Sequence, residues 1–390
     1  MLQLLANAHV FAPEDLGIRQ VLIGNGRVLG FLNDPDDVSV PGLFVTDLAG
    51  QRVLPGLIDG HAHITGGGGE SGFSSRVPPV PLSQFTSAGV STVVGVLGTD
   101  DTTRDTRSLV ATAYALREQG LSAWCHTGGY HVPPVTLTGS VRDDIVFIDP
   151  VIGVGELAVS DHRSSQPTLD ELLRIASDVH VAGLITGKAG ILHLHLGDGA
   201  RGLAVIRKAL SQTELPARVF NPTHVNRRRA LFSEAIELAS NGVVIDVTAF
   251  PVDDADDAIP AHEALMQYLG SAAPRGNITI SSDGGGCLPV FNEDGEIVQM
   301  ETGSPASLAL TLKTLLDGGA KLADVAPAFT SNPARLLRLH RKGGLQPGKD
   351  ADLIVLNDNN GIADVMLAGK WHVRHGQQLL FGKFEKEFSD

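Results

Sequence analysis

The sequence predicts an α/β protein: a (β/α)8 barrel with a small β-sandwich domain built from both chain ends. Three observations predict it. Apolar strand-like runs alternate with amphipathic helix-like runs through the middle of the chain, the pattern of a parallel sheet. About eight such strands can be counted, the number a closed barrel needs. Both ends read instead as short strands and tight turns. The 390 residues divide accordingly into a β domain, 1–54 plus 342–390, and a barrel, 55–341.

The N-terminal strands are "QLLANAHVFA", "RQVLIGNGRVLGFL" and "FVTDLAGQRVLPG". Gly24, Asn25 and Gly26 mark a hairpin, because Asn-Gly accepts the positive φ of a type I′ turn. The C-terminal "DADLIVLNDN" and "IADVMLAGKWHVRHGQQLL" alternate apolar and polar residues in the same manner. Between them come "LIDGHAHI", "GVSTVVGVLG", "SAWCHTGG", "VIGVGELAVS", "GILHLHLG", "ARVFNPTHV", "GVVIDVTAF" and "NITISSDGGG". Helix-like segments between these strands include "DTRSLVATAYALREQ", "TLDELLRIASDVHVAG", "GLAVIRKAL" and "RRALFSEAIELASN".

Composition excludes several classes. An apolar fraction of 43% with 19% charged residues is that of a soluble globular protein. A net charge of −14 makes nucleic acid a poor partner. The two cysteines, Cys125 and Cys287, form no C-x-x-C pair, which fits a reducing cytoplasm. The first residues lack a basic stretch before an apolar run, so no signal peptide is read. No apolar run is long enough to span a membrane.

Barrels of this kind carry their chemistry at the C-terminal ends of the strands. Those ends read, in order, His61 and His63, Thr99, Tyr130, Glu156, His195, His224 and Asp283. Residues two apart on a strand point the same way, so His61 and His63 aim into one volume. A lone strand-end histidine is ordinarily a packing residue. Four histidines and an aspartate at successive strand ends form a metal-ligand set instead. Imidazole and carboxylate are zinc ligands, and two ions fit better than one. His61, His63 and Asp283 suit one ion, and His195 and His224 the other. Glu156, between the two sets, suits the anionic bridge. A metal lowers the pKa of its water from 15.7 toward about 7, so hydroxide is at hand near neutral pH. Asp283 suits the proton shuttle between that water and the leaving group.

These residues resemble the amidohydrolase superfamily, and the finer match is to the isoaspartyl dipeptidases (β-aspartyl peptidases). "PGLIDGHAHITGGGGESG", "TGGYHVPPVTLTGS", "SDHRSS", "PTHVNR" and "SSDGGG" carry the resemblance, which runs over essentially the whole chain. It implies metal-dependent hydrolysis of β-aspartyl dipeptides, with hydroxide attacking the side-chain amide carbonyl. It also implies two divalent ions, zinc by family habit, and a homo-oligomer. Two positions depart from the pattern. The family usually has a carboxylated lysine where Glu156 stands. Glutamate keeps the negative charge but is shorter, and a capping or surface role is the alternative. The family usually has a serine where Cys287 stands, and a thiol is a weaker donor. Cys287 is then either a weakened substrate contact or a buried structural thiol.

A β-aspartyl dipeptide carries an α-ammonium, an adjacent carboxylate and a second carboxylate on the leaving residue. The resemblance assigns Glu70 to the ammonium. It assigns Gly68 and Thr99 to the aspartyl carboxylate, in a run, Gly66–Gly69, whose backbone can approach an anion closely. Arg163 fits the leaving carboxylate, since guanidinium grips carboxylate in a bidentate fork. Arg227, which opens a basic triplet that otherwise reads as a solvated helix start, joins it only through the resemblance of "HVNR". Tyr130 would stabilise the oxyanion. His126, His131 and His162 lie near these motifs and receive no role.

Two other enzyme readings use the same metals: a cyclic-amide hydrolase of the dihydroorotase or hydantoinase kind, and an N-acyl deacetylase. A cyclic imide has no ammonium to match Glu70. A non-enzymatic reading, a metal-free scaffold, conflicts with the presence of His61, His63, His195, His224 and Asp283 together.

Overall fold

A computed structural model describes residues 2–34, 37–38, 40–252, 257–291 and 297–385. The chain begins with β1 (Leu2–Phe11), β2 (Asp15–Gly24), β3 (Arg27–Leu32), β4 (Leu43–Asp47) and β5 (Arg52–Pro55). The hairpin between β2 and β3 turns on Asn25 at φ 51° and Gly26 at φ 73°, the two positive values of a type I′ turn. The parallel strands β4 and β5 flank β1 on the side away from β2.

Eight parallel strands follow: β6 (Leu57–Ala62), β7 (Val90–Gly95), β8 (Ser122–Thr127), β9 (Val151–Val159), β10 (Ile191–Leu196), β11 (Phe220–Thr223), β12 (Ile245–Thr248) and β13 (Ile278–Ser281). The first six form one sheet in chain order, and β12 and β13 pair with each other. The sheet curls shut between β13 and β6, where His63 N–H donates to Gly284 O at 2.8 Å and Asp283 N–H to His61 O at 3.1 Å. The seam between β11 and β12 is closed by side chains. Asn221 Nδ2 donates to Val244 O at 2.7 Å, and Thr223 Oγ1 donates to Asp246 Oδ2 at 2.7 Å. Buried Asp246 also accepts from Thr279 and Ser281 on β13. Asp59 on β6 accepts from the N–H and hydroxyl of Ser282, so buried carboxylates tie both seams.

One helix follows each strand: α1 (Leu82–Ser87), α2 (Thr106–Glu118), α3 (Val141–Phe147), α4 (Leu169–Thr186), α5 (Ala204–Gln212), α6 (Arg229–Ser240), α7 (Ala261–Leu269) and α8 (Ala306–Asp317). The longest, α4, shows why the sequence builds them. Thr168 and Glu171 form a capping box at its start, and Gly187 ends it in the left-handed conformation. It buries Leu172, Ile175, Ala176, Val179, Ala182 and Gly183, the spacing of one helical face.

After β13 the chain forms an antiparallel hairpin, β14 (Cys287–Phe291) and β15 (Ile297–Thr302), which the sequence reading passed over. Its signal was present in the Asp-Gly of "NEDGE"; residues 292–296 lie outside the described residues. Two short helices, α9 (Leu322–Val325) and α10 (Ser331–Leu336), lead back to β16 (Leu353–Leu356), β17 (Ile362–Leu367), β18 (Lys370–Arg374) and β19 (Gln377–Gln378). Strand β16 pairs antiparallel with β5 and joins both chain ends in one nine-stranded sheet. Its core packs Leu5, Val10 and Val21 from one end against Leu353, Val355 and Met366 from the other. We propose the division 1–54 plus 342–390 against 55–341; residues 1, 35, 36, 39, 253–256, 292–296 and 386–390 of it lie outside the described residues. Among the described residues no helix is long and apolar enough to cross a membrane.

Candidate metal centre

The strand ends bring the ligand candidates together. Glu156, buried on β9, sits among four imidazoles. Its Oε1 lies 3.4 Å from His63 Nε2. Its Oε2 lies 3.6 Å from His61 Nε2, 3.0 Å from His195 Nδ1 and 3.4 Å from His224 Nε2. Asp283 Oδ1 lies 3.1 Å from His63 Nε2 and 3.5 Å from His61 Nε2. The shorter side chain at position 156 thus reaches both groups of histidines. His224 and Asp283 reach the cluster from left-handed backbone, φ 60° and 54°. That conformation costs a non-glycine residue about 1–2 kcal/mol, and here it turns both side chains inward at the strand ends.

The donor set fits divalent metal. His61 Nε2 and Asp283 Oδ1 are buried without a hydrogen-bond partner, a costly state unless a cation satisfies them. Two ligand atoms, each about 2.1 Å from one tetrahedral ion, stand roughly 3.4 Å apart, and the separations above straddle that value. The donors group as His61, His63 and Glu156; as Glu156, His195 and His224; and as His61, His224 and Asp283. Glu156 is common to the first two groups.

Electrostatics agree. Burial pushes the Glu156 carboxyl up, but the surrounding imidazoles outweigh it and hold the group well below its ordinary range. Burial likewise opposes ionisation of Asp283, and His61 and His63 overcome it. Burial disfavours a proton on His61, yet Glu156 and Asp283 raise it to about 9. The field that favours a proton there would equally favour a metal cation. His224 goes the other way, to about 3, chiefly through burial.

One cavity opens onto this cluster. Gly68, Glu70, Thr99, Tyr130, Arg163, Arg227 and Cys287 line it, with His63, His195 and Asp283 facing the same space. Every substrate residue expected from the sequence therefore borders one space, but the pairings differ from expectation. Glu70 and Arg163, expected at separate charges of the substrate, are bonded to each other, Nη1 to Oε1 at 2.8 Å. Thr99 also donates to Glu70, at 2.7 Å. The glycine run is less open than expected. The N–H groups of Gly66, Gly67 and Gly69 already donate to the carbonyls of His63, Gly285 and Ser75. Arg227 lies 3.6 Å from Asp198. The Tyr130 hydroxyl is 2.8 Å from His195 Nδ1, and burial holds it protonated well above its usual range. Burial and Glu70 push the Cys287 thiol up to about 12, so it stays neutral.

Two residues escaped the sequence reading. Asp161, in "SDHR", clamps Arg163 through both carboxylate oxygens and lies 3.0 Å from His195 Nε2. Arg104 is 5% exposed and pins the glycine run. Its Nη2 donates to Gly67 O at 2.7 Å and to Val77 O at 3.2 Å, and its Nη1 donates to Gly68 O at 3.3 Å. Its one local partner is Asp100, whose Oδ2 accepts from Nη1 at 2.9 Å; the carbonyls it pins lie more than 25 residues away, where no local pattern states the contact. Arg104→Ala strands these carbonyls at about 1–3 kcal/mol apiece if buried. We expect a lowered melting temperature and a higher KM, with Arg104→Lys between variant and wild type; thermal unfolding and steady-state kinetics measure both.

Comparison with known proteins fixes the relationship. Residues 156–372 match the model of the amidohydrolase family. The chain belongs to the amidohydrolase family. Within it, this amidohydrolase is similar to the β-aspartyl dipeptidase of thermophilic, keratin-degrading Fervidobacterium islandicum AW-1, whose structure was solved in complex with β-Asp-Leu. The two share 42% identity over 97% of this chain and 98% of that one, with a TM-score of 0.92. A second structure of the F. islandicum enzyme gives 40% identity, 97% and 99% coverage, and a TM-score of 0.89. A dihydroorotase of Halobacterium salinarum is 24% identical over 388 residues, 88% of this chain and 87% of that protein. The amidohydrolase thus falls among the β-aspartyl dipeptidases in sequence and fold.

Proposed function

We propose that the protein hydrolyses β-aspartyl (isoaspartyl) dipeptides with two divalent ions, zinc by ligand type, held by His61, His63, Glu156, His195, His224 and Asp283. The observation that carries this is the cavity in which Glu70, Thr99, Tyr130, Arg163 and Arg227 face the ligand cluster. The likeness to an enzyme solved with β-Asp-Leu supports it over nearly the whole chain. When bound, such ions polarise a carbonyl and supply hydroxide at neutral pH.

The chain's own residues do the rest. Glu70 takes the substrate ammonium, releasing part of its contact with Arg163. Gly68 and Thr99 hold the aspartyl carboxylate. Arg163, steadied by Asp161, and Arg227 grip the leaving residue's carboxylate. Tyr130 donates to the carbonyl oxygen as it gains charge. Asp283 accepts the proton of the attacking water and passes it to the amine as the C–N bond breaks. Cys287 borders the substrate and contributes a weak S–H contact. Two unpaired cysteines, one of them buried, support a reducing, cytoplasmic setting. A homo-oligomer is part of the same reading, and light scattering checks it.

The test is a screen of β-Asp, α-Asp and γ-Glu dipeptides, dihydroorotate and hydantoin with metal-depleted and zinc-restored protein. Only the β-Asp dipeptides should turn over, and only with metal. Turnover confined to the cyclic amides would overturn the assignment. N-acetylation of β-Asp-Leu removes the ammonium and leaves Glu70 unmatched. Losing one partner of a buried charge pair costs about 2–5 kcal/mol, so kcat/KM should fall at least roughly 30-fold. Equal turnover of the two substrates would remove Glu70 from its role.

A further inference from the structure

Beneath the ligand cluster lie two histidines that the proposed reaction leaves unused. His193 stands two residues before His195 on β10, so it too points into the barrel. Its Nε2 is 2.7 Å from His61 Nδ1, and its Nδ1 is 2.6 Å from Asn221 Oδ1. The ring of His126 stacks on it, with centroids 5.5 Å apart and planes at 26°. Glycines on β9 make the room. A Cβ on Gly155 would lie 2.7 Å from His193 Cβ, and one on Gly153 would lie 2.9 Å from His126 Nδ1.

We propose that His193 is a positioning residue for His61, its own tautomer dictated by Asn221. The order of donors follows from chemistry alone. The Val244 carbonyl can only accept, so Asn221 turns its NH2 group there, at 2.7 Å, and its oxygen to His193. That oxygen also only accepts, so His193 carries its hydrogen on Nδ1. A neutral imidazole with Nδ1–H has its lone pair on Nε2. His61 therefore donates from Nδ1 into that lone pair. That leaves Nε2 of His61, which faces Glu156 and Asp283, as the nitrogen that a cation would take. The ligand His63 turns its Nδ1 to the Leu97 carbonyl at 3.3 Å, and His224 turns its Nδ1 to the Thr248 hydroxyl at 2.7 Å. At His61 the same task falls to a second imidazole, which serves only while neutral and in one tautomer. Outer partners of metal-binding histidines orient the ring and typically govern affinity by about 10–100-fold.

The inference rests on the metal reading above, and its test separates the two. Zinc affinity is measured on the full chain by chelator competition. His193→Leu removes the acceptor and should weaken binding by about 10–100-fold. His193→Gln offers an amide oxygen to His61 and should restore most of it. Wild-type affinity in the leucine variant, or equal losses in both variants, overturns the proposal. Should the leucine variant not fold, neutron diffraction from wild-type crystals decides. Deuterons on Nδ1 of both His193 and His61 are expected, and one on His193 Nε2 overturns the assignment. A wild-type chain that takes up no zinc removes the metal reading itself, while the deuteron positions still decide the role of His193.

Discussion

Replacing Glu156 by glutamine is expected to lower bound zinc from two equivalents to at most one and to cut kcat by at least about 10³-fold. Glu156 lies within 3.6 Å of all four candidate histidines. Glutamine keeps the shape and removes the charge. Two divalent ions in a buried site would then face a single remaining ligand carboxylate, Asp283. Transition-state stabilisation from a catalytic ion is worth several kcal/mol, and about 4 kcal/mol corresponds to roughly 10³-fold in rate. Metal analysis of the purified variant beside wild type, with single-turnover kinetics on β-Asp-Leu, measures both effects. Two retained equivalents with unchanged turnover would remove Glu156 from the centre. The variant should also respond less to chelator in thermal unfolding, because ligand binding stabilises the folded state by mass action.

The second large effect is at Asp283. Asp283→Asn should lower kcat on β-Asp-Leu by about 10²–10⁴-fold, the usual contribution of a positioned proton carrier. The loss of KM-independent rate should exceed any loss of zinc. Asp283 Oδ1 faces His61 and His63, the group is held ionised by them, and it borders the substrate cavity. An amide has no charge to accept a proton and keeps one oxygen toward the histidines. Metal content near wild type with collapsed kcat separates proton transfer from ligation. An asparagine variant as fast as wild type would leave Asp283 with ligation alone.

Much of the architecture was legible because periodicity reports burial directly. The Asn25–Gly26 turn, the barrel strands and the inward pair His61 and His63 all follow from local geometry. Short helices such as α1 and α3 were not legible, since six or seven residues give no clear periodic signal. The β14–β15 hairpin interrupts the strand–helix alternation directly after "SSDGGGC", so the barrel periodicity does not report it. At the site, residue identities were readable and pairings were not. Glu70 and Arg163 are 93 positions apart, and no local pattern states that they bond.

The sequence by itself determined the alternation of strand and helix, the β character of both ends, and which residue types stand at each strand end. These depend on neighbours a few positions away. Only the tertiary structure decided that Glu156 reaches four histidines, that Asp161 and Arg104 hold the pocket's arginine and glycine run, and that His193 lies behind His61. Those contacts join residues far apart in the chain, and barrel closure alone sets their distances.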